Sequence, residues 1–180
     1  MTIQIETERL ILRNIKSDDI KSLLDIYNKE INMRYIADGK YNWTENEIVE
    51  KYSEINESYK HGFGMLAVEL KESNIIIGEA GLFKYFDDLI LEIGYIIDST
   101  FWKNGFGKEI CLGLINYAFN ILNVKSVVAR MYANNKSSVI LSEKCKMKRI
   151  DSGYLISHEK YLVYEITSQV DNLTQNLSLL

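Results

Sequence analysis

Along this chain apolar and polar positions repeat with two different periods, and each change of period marks a new element. The first run, "IETERLILRNI", alternates residue by residue and predicts a strand with Ile5, Leu10 and Leu12 available to face a core. Ile20, Leu23, Leu24 and Tyr27 then recur at helical spacing through "DDIKSLLDIYNKE", with Ser17 as a candidate cap. The acidic first turn of that segment suits the positive end of a helix dipole. "INMRYIADGKYNW" has little periodicity and carries the turn signal Asp38-Gly39, so it reads as a loop bearing Tyr35, Tyr41 and Trp43. A second helix follows, opened by the capping box "TENE" at Thr44 and Glu47 and striped by Ile48, Tyr52, Ile55 and Tyr59.

From Phe63 the period shortens again. "FGMLAVEL", "NIIIGEAGLFKYF" and "LILEIGYIID" are three β-rich runs parted by short polar breaks, and they predict an antiparallel meander. Beyond the glycines of "KNGFGK", Ile110, Leu114, Tyr117, Ala118 and Ile121 lay out a long amphipathic helix, and "KSVVARMYA" gives another strand. Strand, helix, strand in that order is a crossover unit with parallel strands. A helix from near Asn135 and a closing hairpin of "MKRIDSGYLI" and "KYLVYEIT" complete one expected domain, residues 1–168. Residues 169–180, polar with scattered leucines, read as a tail that is frayed, packed or docked on a partner.

Composition narrows the class. With 47% hydrophobic and 26% charged residues in 180, the chain has the balance of one soluble globular domain and not of a disordered segment. A net charge of −4 argues against a general nucleic-acid binder, which needs a lysine and arginine surplus against phosphate. No run approaches the ~18 apolar residues of a membrane span, and the first residues lack a basic flank followed by an apolar run. The expectation is a cytoplasmic protein with no membrane association, monomeric or a homodimer. Cys111 and Cys145 form no C-x-x-C pair and are expected as buried free thiols, while His61 and His158 stand isolated, which speaks against a metal site. No G-x-S-x-G occurs, so Ser-His-Asp catalysis has little support.

The stretch with most chemistry is "FWKNGFGKEI". A Walker loop would need Gly at 102 and Ser or Thr at 109, where Trp102 and Glu109 stand; a dinucleotide turn would need a third glycine where Ile110 stands. What remains is a strand, a short connection and a helix whose first N–H groups have no intrahelical partner. Gly105 and Gly107 remove side chains from that approach and Lys103 and Lys108 add positive charge, an arrangement suited to an anion such as a pyrophosphate. A tight strand-to-helix turn with solvated lysines is the alternative for these residues alone.

Taken with "TERLILRNIKSDDI", "IIIGEAGLF", "EIGYIID" and the continuous run from "FWKNGFGKEI" to "SEKCKM", the turn resembles the GNAT superfamily of acetyl-CoA-dependent N-acyltransferases, specifically its ribosomal-protein N-terminal acetyltransferase branch. The likeness covers about residues 6–155. It implies an α+β (mixed α/β) fold, with a central, mostly antiparallel mixed sheet of six to seven strands and about four helices. By resemblance, Lys103, Asn104, Gly105, Phe106, Gly107 and Lys108 bind the pyrophosphate of coenzyme A through backbone amides. The backbone of Ile96 and Ile97 pairs with the pantetheine arm, and Asn135, Ser138 and Lys144 fall where family members touch the cofactor. Trp102 occupies the first motif position, and Lys146 in "KCKM" replaces a usual glycine, where a left-handed cap would strain a lysine.

Acyl transfer needs a neutral amine, a donor for the developing oxyanion and help for the thiolate. A backbone N–H near Ile96 or Ile97 can polarise the thioester carbonyl, an effect often worth ~3 to 4 kcal/mol. A lysine is neutral in only ~1 molecule in 2,500 at pH 7 and an α-amine in roughly one in seven, so an N-terminal acceptor needs the weaker base. Glu92 is the candidate base, with Glu79 on the neighbouring strand as the second. Ser142 holds the position where many relatives carry an acidic tyrosine, and can at most hydrogen-bond the sulfur; Tyr132 is an alternative donor. The acceptor site implied by the family lies between the first two helices, which gives Tyr35, Tyr41 and Trp43 the choice of amine. An acetyl-CoA-dependent enzyme acting on an N-terminal α-amine, the same enzyme acting on a polyamine, and a coenzyme-A-binding sensor without turnover all stand at this point.

Overall fold

The computed structural model describes residues 1–85, 89–154 and 159–168. Eight strands form a mixed sheet: β1 (Gln4–Glu6), β2 (Leu10–Asn14), β3 (Met65–Leu70), β4 (Ile76–Lys84), β5 (Ile90–Ile97), β6 (Ser126–Tyr132), β7 (Lys148–Tyr154) and β8 (Lys160–Thr167). Five α-helices accompany them: α1 (Ile20–Tyr27), α2 (Glu30–Met33), α3 (Glu45–Ile55), α4 (Phe106–Asn120) and α5 (Lys136–Lys144). The backbone divides into two compact units, one of Met1–Phe83 with Ile93–Leu114 and one of Lys84–Glu92 with the described residues from Ile115 on. Strand order in the first is β1-β2-β3-β4-β5 and in the second β5-β6-β8-β7, so β5 contributes to both.

The extra strand and helix have local causes. "IETERLILRNI" is a hairpin and not one strand: Thr7 N donates to Leu10 O at 3.0 Å, folding β1 back on β2 with Ile5 opposite Leu12. The expected loop after the first helix instead begins with the one-turn α2 and a 3-10 turn over Ala37–Gly39, in which Asp38 takes φ +54°. Ser17 does not cap α1. A 3-10 turn over Ser17–Asp19 precedes that helix, and the Asp19 carboxylate accepts from Lys16 N at 2.7 Å. Ile121 lies one residue past the end of α4 and is 60% exposed, whereas Ile110, Leu114 and Ala118 are buried as expected.

In the first unit, β2 pairs antiparallel with β3, placing Leu10 opposite Leu70 and Leu12 opposite Val68, and β3 pairs antiparallel with β4. Leu23, Ile26 and Tyr27 of α1 and Ile48 and Tyr52 of α3 pack with Met33, Met65 and Ile96 in one cluster. Burying each large side chain contributes roughly 1.5–3 kcal/mol. An eight-residue helix such as α1 depends on that contribution, because its own propensity cannot hold it. Thr44 and Glu47 close the capping box of α3: Thr44 N donates to Glu47 Oε2 at 2.8 Å and Glu47 N to Thr44 Oγ1 at 3.3 Å. In the second unit β5 and β6 run parallel through Ile90–Ser126, Leu91–Val127 and Glu92–Val128, and β6 and β7 each pair antiparallel with β8. Both cysteines are buried free thiols. Among the described residues no helix is long and apolar enough to cross a membrane, and no cluster of His, Cys, Asp and Glu could hold a metal ion. His158 and the tail 169–180 lie outside the described residues.

Burial along β5 alternates through Leu91 and Ile93 and then resumes at Ile96 and Asp98, a slip of one residue at Gly94–Tyr95. At the far side of this slip the main chain of β4 comes very close: a Cβ on Gly78 would lie 2.1 Å from Ile96 O. Backbone cannot yield as a side chain can. We expect Gly78→Ala to cost about 3 kcal/mol or more, by the usual penalty of overpacking. Urea unfolding should show a lower midpoint; an unchanged midpoint would mean that the two strands part easily here.

Candidate active site

β5 ends at Ile97, and the chain from Asp98 to Phe106 is held by its own polar groups. The Asp98 carboxylate accepts from Thr100 N at 3.2 Å and from Lys29 Nζ at 2.6 Å. Burial opposes its ionisation, but the bonds from Lys29 and Thr100 outweigh this and hold its carboxyl below the usual range. Trp102 Nε1 donates to Ile97 O at 2.7 Å, turning the indole back over the strand end, and Asn104 Nδ2 donates to Phe101 O at 3.2 Å. Lys103 takes φ +64° and Gly105 φ +84°, so the backbone passes twice through the left-handed region before α4 begins. Gly105 tolerates this at no steric cost, and the only atom within 4 Å of a Cβ placed there is Arg9 Nη2, at 3.5 Å. Lys103, Asn104 and Lys108 are exposed.

The β1–β2 hairpin reaches this turn. Thr7 Oγ1 donates to Glu109 Oε1 at 2.6 Å, Arg9 N donates to the same oxygen at 2.6 Å, and Arg9 Nε donates to Oε2 at 2.8 Å. Arg9 Nη1 also donates to Asn104 O at 3.0 Å, and the guanidinium carbon lies 4.3 Å from the centre of the Phe106 ring. The hairpin approaches α4 closely beside Gly113, where a Cβ would be 2.9 Å from Thr7 Cγ2. Burial works against the Glu109 carboxylate, yet the donors from Thr7 and Arg9 prevail and its pKa is lowered. The stability this contributes is present above the ordinary carboxylate range and is lost as pH falls through the lowered value.

Glu79, the second candidate base, is only 1% exposed on β4. Tyr27 Oη of α1 and Tyr52 Oη of α3 donate to its two oxygens, and Lys51 Nζ donates to Oε1 at 2.8 Å. The Lys51 ammonium also sits 4.7 Å from the Tyr27 ring centre and 4.2 Å from that of Tyr52. Burial pushes the Lys51 pKa down, with Glu79 opposing, and burial followed by the Glu79 charge pushes both tyrosines well up. Both Glu79 oxygens are therefore met by donors from α1 and α3, and the carboxylate is enclosed by the fold and not presented to solvent. Of the aromatics expected around the acceptor, Trp43 packs edge-on to Tyr27, ring centres 5.2 Å apart, and Lys40 Nζ lies over the Trp43 ring at 4.5 Å from its centroid. Tyr41 is exposed and Tyr35 is half-buried beside Arg34.

In the second unit Glu92 is half-buried and pairs with Arg130 Nη2 at 3.5 Å. Burial raises its pKa and Arg130 opposes the rise. Asn135 caps α5, its side chain accepting from Ser138 N at 3.2 Å. Lys144 lies exposed in the last turn of the same helix. Ser142 is buried, not a surface serine, and its hydroxyl lies 3.9 Å from Met131 Sδ. Lys146 adopts the left-handed conformation after α5, φ +63°, despite the strain expected for a lysine there. Reasoning from sequence missed Lys51 and the Thr7–Arg9–Glu109 contact; Lys51 lay one residue from the apolar stripe of α3, and Thr7 and Arg9 lay inside an apparently simple strand.

A family model described as an acetyltransferase (GNAT) domain matches residues 9–148. YnaD of Bacillus subtilis (strain 168), described as an uncharacterized N-acetyltransferase, is 23% identical over 147 residues, 82% of this chain and 84% of its own. Among solved structures, the ribosomal L7/L12 alpha-N-protein acetyltransferase RimL, in complex with coenzyme A, has a TM-score of 0.80 at 15% identity, covering 93% of this chain and 98% of that one. The spermidine N-acetyltransferase of Vibrio cholerae, in complex with CoA and spermine, has a TM-score of 0.74 at 20% identity, over 88% and 95%.

The buried charge gives a direct test. Lys51→Met leaves Glu79 ionised and without its cation, and should destabilise the protein by about 3–5 kcal/mol. Tyr27→Phe should cost about 1.5–3 kcal/mol, the value of one hydrogen bond to a charged group. Chemical denaturation measures both, and a Lys51→Met protein as stable as its parent would show that the Lys51–Glu79 pair contributes nothing to stability.

Proposed function

Because the chain belongs to the acetyltransferase (GNAT) domain family, we propose that it transfers an acetyl group from acetyl-CoA to a primary amine directly, in a ternary complex, the amine being the α-amine of a protein or peptide N-terminus. The glycine turn carries this reading: a left-handed Gly105, two exposed lysines and the start of a fifteen-residue helix. These residues fit a diphosphate. The first amides of such a helix lack intrahelical acceptors, its dipole favours an anion, and a glycine lets the ligand approach the main chain.

Acetyl-CoA supplies the activated thioester. Lys103, Asn104, Gly105, Phe106, Gly107 and Lys108 hold its diphosphate, and the backbone of Ile96 and Ile97 holds the pantetheine arm. Asn135, Ser138 and Lys144 are assigned to the same carrier on the family resemblance. Glu92, on the same strand as Ile96, takes the proton of the acceptor amine, directly or through water; partial burial makes it a stronger base than a surface carboxylate. Ser142 receives no role, since its hydroxyl is buried against Met131. RimL, described as acting on a ribosomal α-N-terminus, supports the α-amine. A polyamine is the second reading, favoured by the likeness to the spermidine enzyme and by the net charge of −4.

Free-thiol release with acetyl-CoA against N-terminal peptides, lysine peptides and polyamines should show the N-terminal peptides fastest. Turnover of polyamines alone would transfer the assignment to the second reading, and coenzyme A binding without any turnover would make the chain a sensor. With the preferred acceptor, Glu92→Gln should lower kcat/KM by about a hundredfold or more, the usual worth of a positioned base. Arg130→Met should move the acid limb of the pH profile upward, because it removes the cation that lowers the Glu92 pKa. A limb that stays in place would exclude Glu92 as the base.

A further inference from the structure

Glu109 presents a difficulty that the reading of the turn leaves open. Its carboxylate lies in the first turn of α4, where a negative charge competes with a diphosphate for the positive end of the helix. The side chain is mostly buried, 13% exposed, and every polar contact described for it comes from the β1–β2 hairpin: Thr7 Oγ1, Arg9 N and the Arg9 guanidinium, whose Nη2 is 2.7 Å away. The same guanidinium holds Asn104 O and covers the Phe106 ring, so one cation braces both sides of Gly105. Gly113 removes the side chain that would keep the hairpin from α4.

We propose that Arg9 is a positioning residue for the acyl carrier: it cancels the Glu109 charge and pins the Asn104–Phe106 backbone, leaving the first amides of α4 to a diphosphate. This rests on the reading of the glycine turn given above. Arg9 does not itself grip the phosphates. Three of its five N–H groups are already directed at Glu109 and Asn104.

The role separates from a merely structural one by a charge-cancelling rescue. Titration calorimetry of the full chain with coenzyme A should give a dissociation constant about tenfold weaker for Arg9→Gln than for the parent, a loss equivalent to about 1.4 kcal/mol. Glu109→Gln should bind at least as tightly as the parent, and the double variant Arg9→Gln/Glu109→Gln should recover most of the loss. Arg9→Lys, which keeps the charge but not the planar fork, should fall between parent and Arg9→Gln and keeps the test usable where Arg9→Gln folds poorly. A double variant as weak as Arg9→Gln would mean that Arg9 does not act by cancelling the Glu109 charge, and unchanged affinity in both Arg9→Gln and Arg9→Lys would make the contact purely structural; either overturns the proposal. A parent chain that binds no coenzyme A would overturn the reading of the turn itself.

Discussion

A carboxylate taken out of water has to be met by donors on every side, and Glu79 imposes that requirement on most of the first unit. Its donors come from α1 and α3, so β4 and both helices are tied to one point with little freedom to slide. Hydrophobic packing of Leu23, Ile26, Ile48 and Met65 supplies the larger free energy but is tolerant of direction. The ionic cluster is not tolerant. A helix rotated by one position would leave a buried charge without its cation, which costs more than several apolar contacts return.

In the turn after β5, carboxylates are again met by partners distant in the chain. The turn after β5 combines a left-handed glycine, lysines facing water and an acidic residue whose charge is met from a distant hairpin. Asp98 performs a related task one strand-end earlier, joining Lys29 to the turn backbone, while Asn32 accepts from Ser99 N at 2.9 Å. The segment that follows α1 and the segment that follows β5 are thereby parts of one hydrogen-bonded assembly.

Legibility in the sequence followed the range of the interactions. The capping box at Thr44 and Glu47 and the helix start at Asn135 rest on residues three or fewer apart and were readable, whereas the left-handed Lys146 was not, because a lysine gives no sign that it will take that backbone angle. For the glycine turn the sequence pointed to an anion by chemistry and to coenzyme A by resemblance, and the structure shows a left-handed Gly105 at the start of α4. The hairpin inside "IETERLILRNI" was missed because a period-two pattern survives a tight turn, with Ile5 and Leu12 still on one face. The burial of Glu79 was not readable because its donors lie 27 or more residues away in the chain, and the Arg9–Glu109 contact spans a hundred. No local spacing records such partners.

The slip in β5 gives that strand an unusual tolerance profile. Its first half pairs with β6, and its second half presents Ile96 inward beside Gly78, with Ile97 turned the other way. Conservative replacements at any one of these positions disturb only the local volume. Adding or deleting a single residue between Gly94 and Asp98 would exchange inner and outer faces for everything downstream, including the anchor of the turn. Drift within such a family is therefore free to rewrite the letters of this strand but not to change its count.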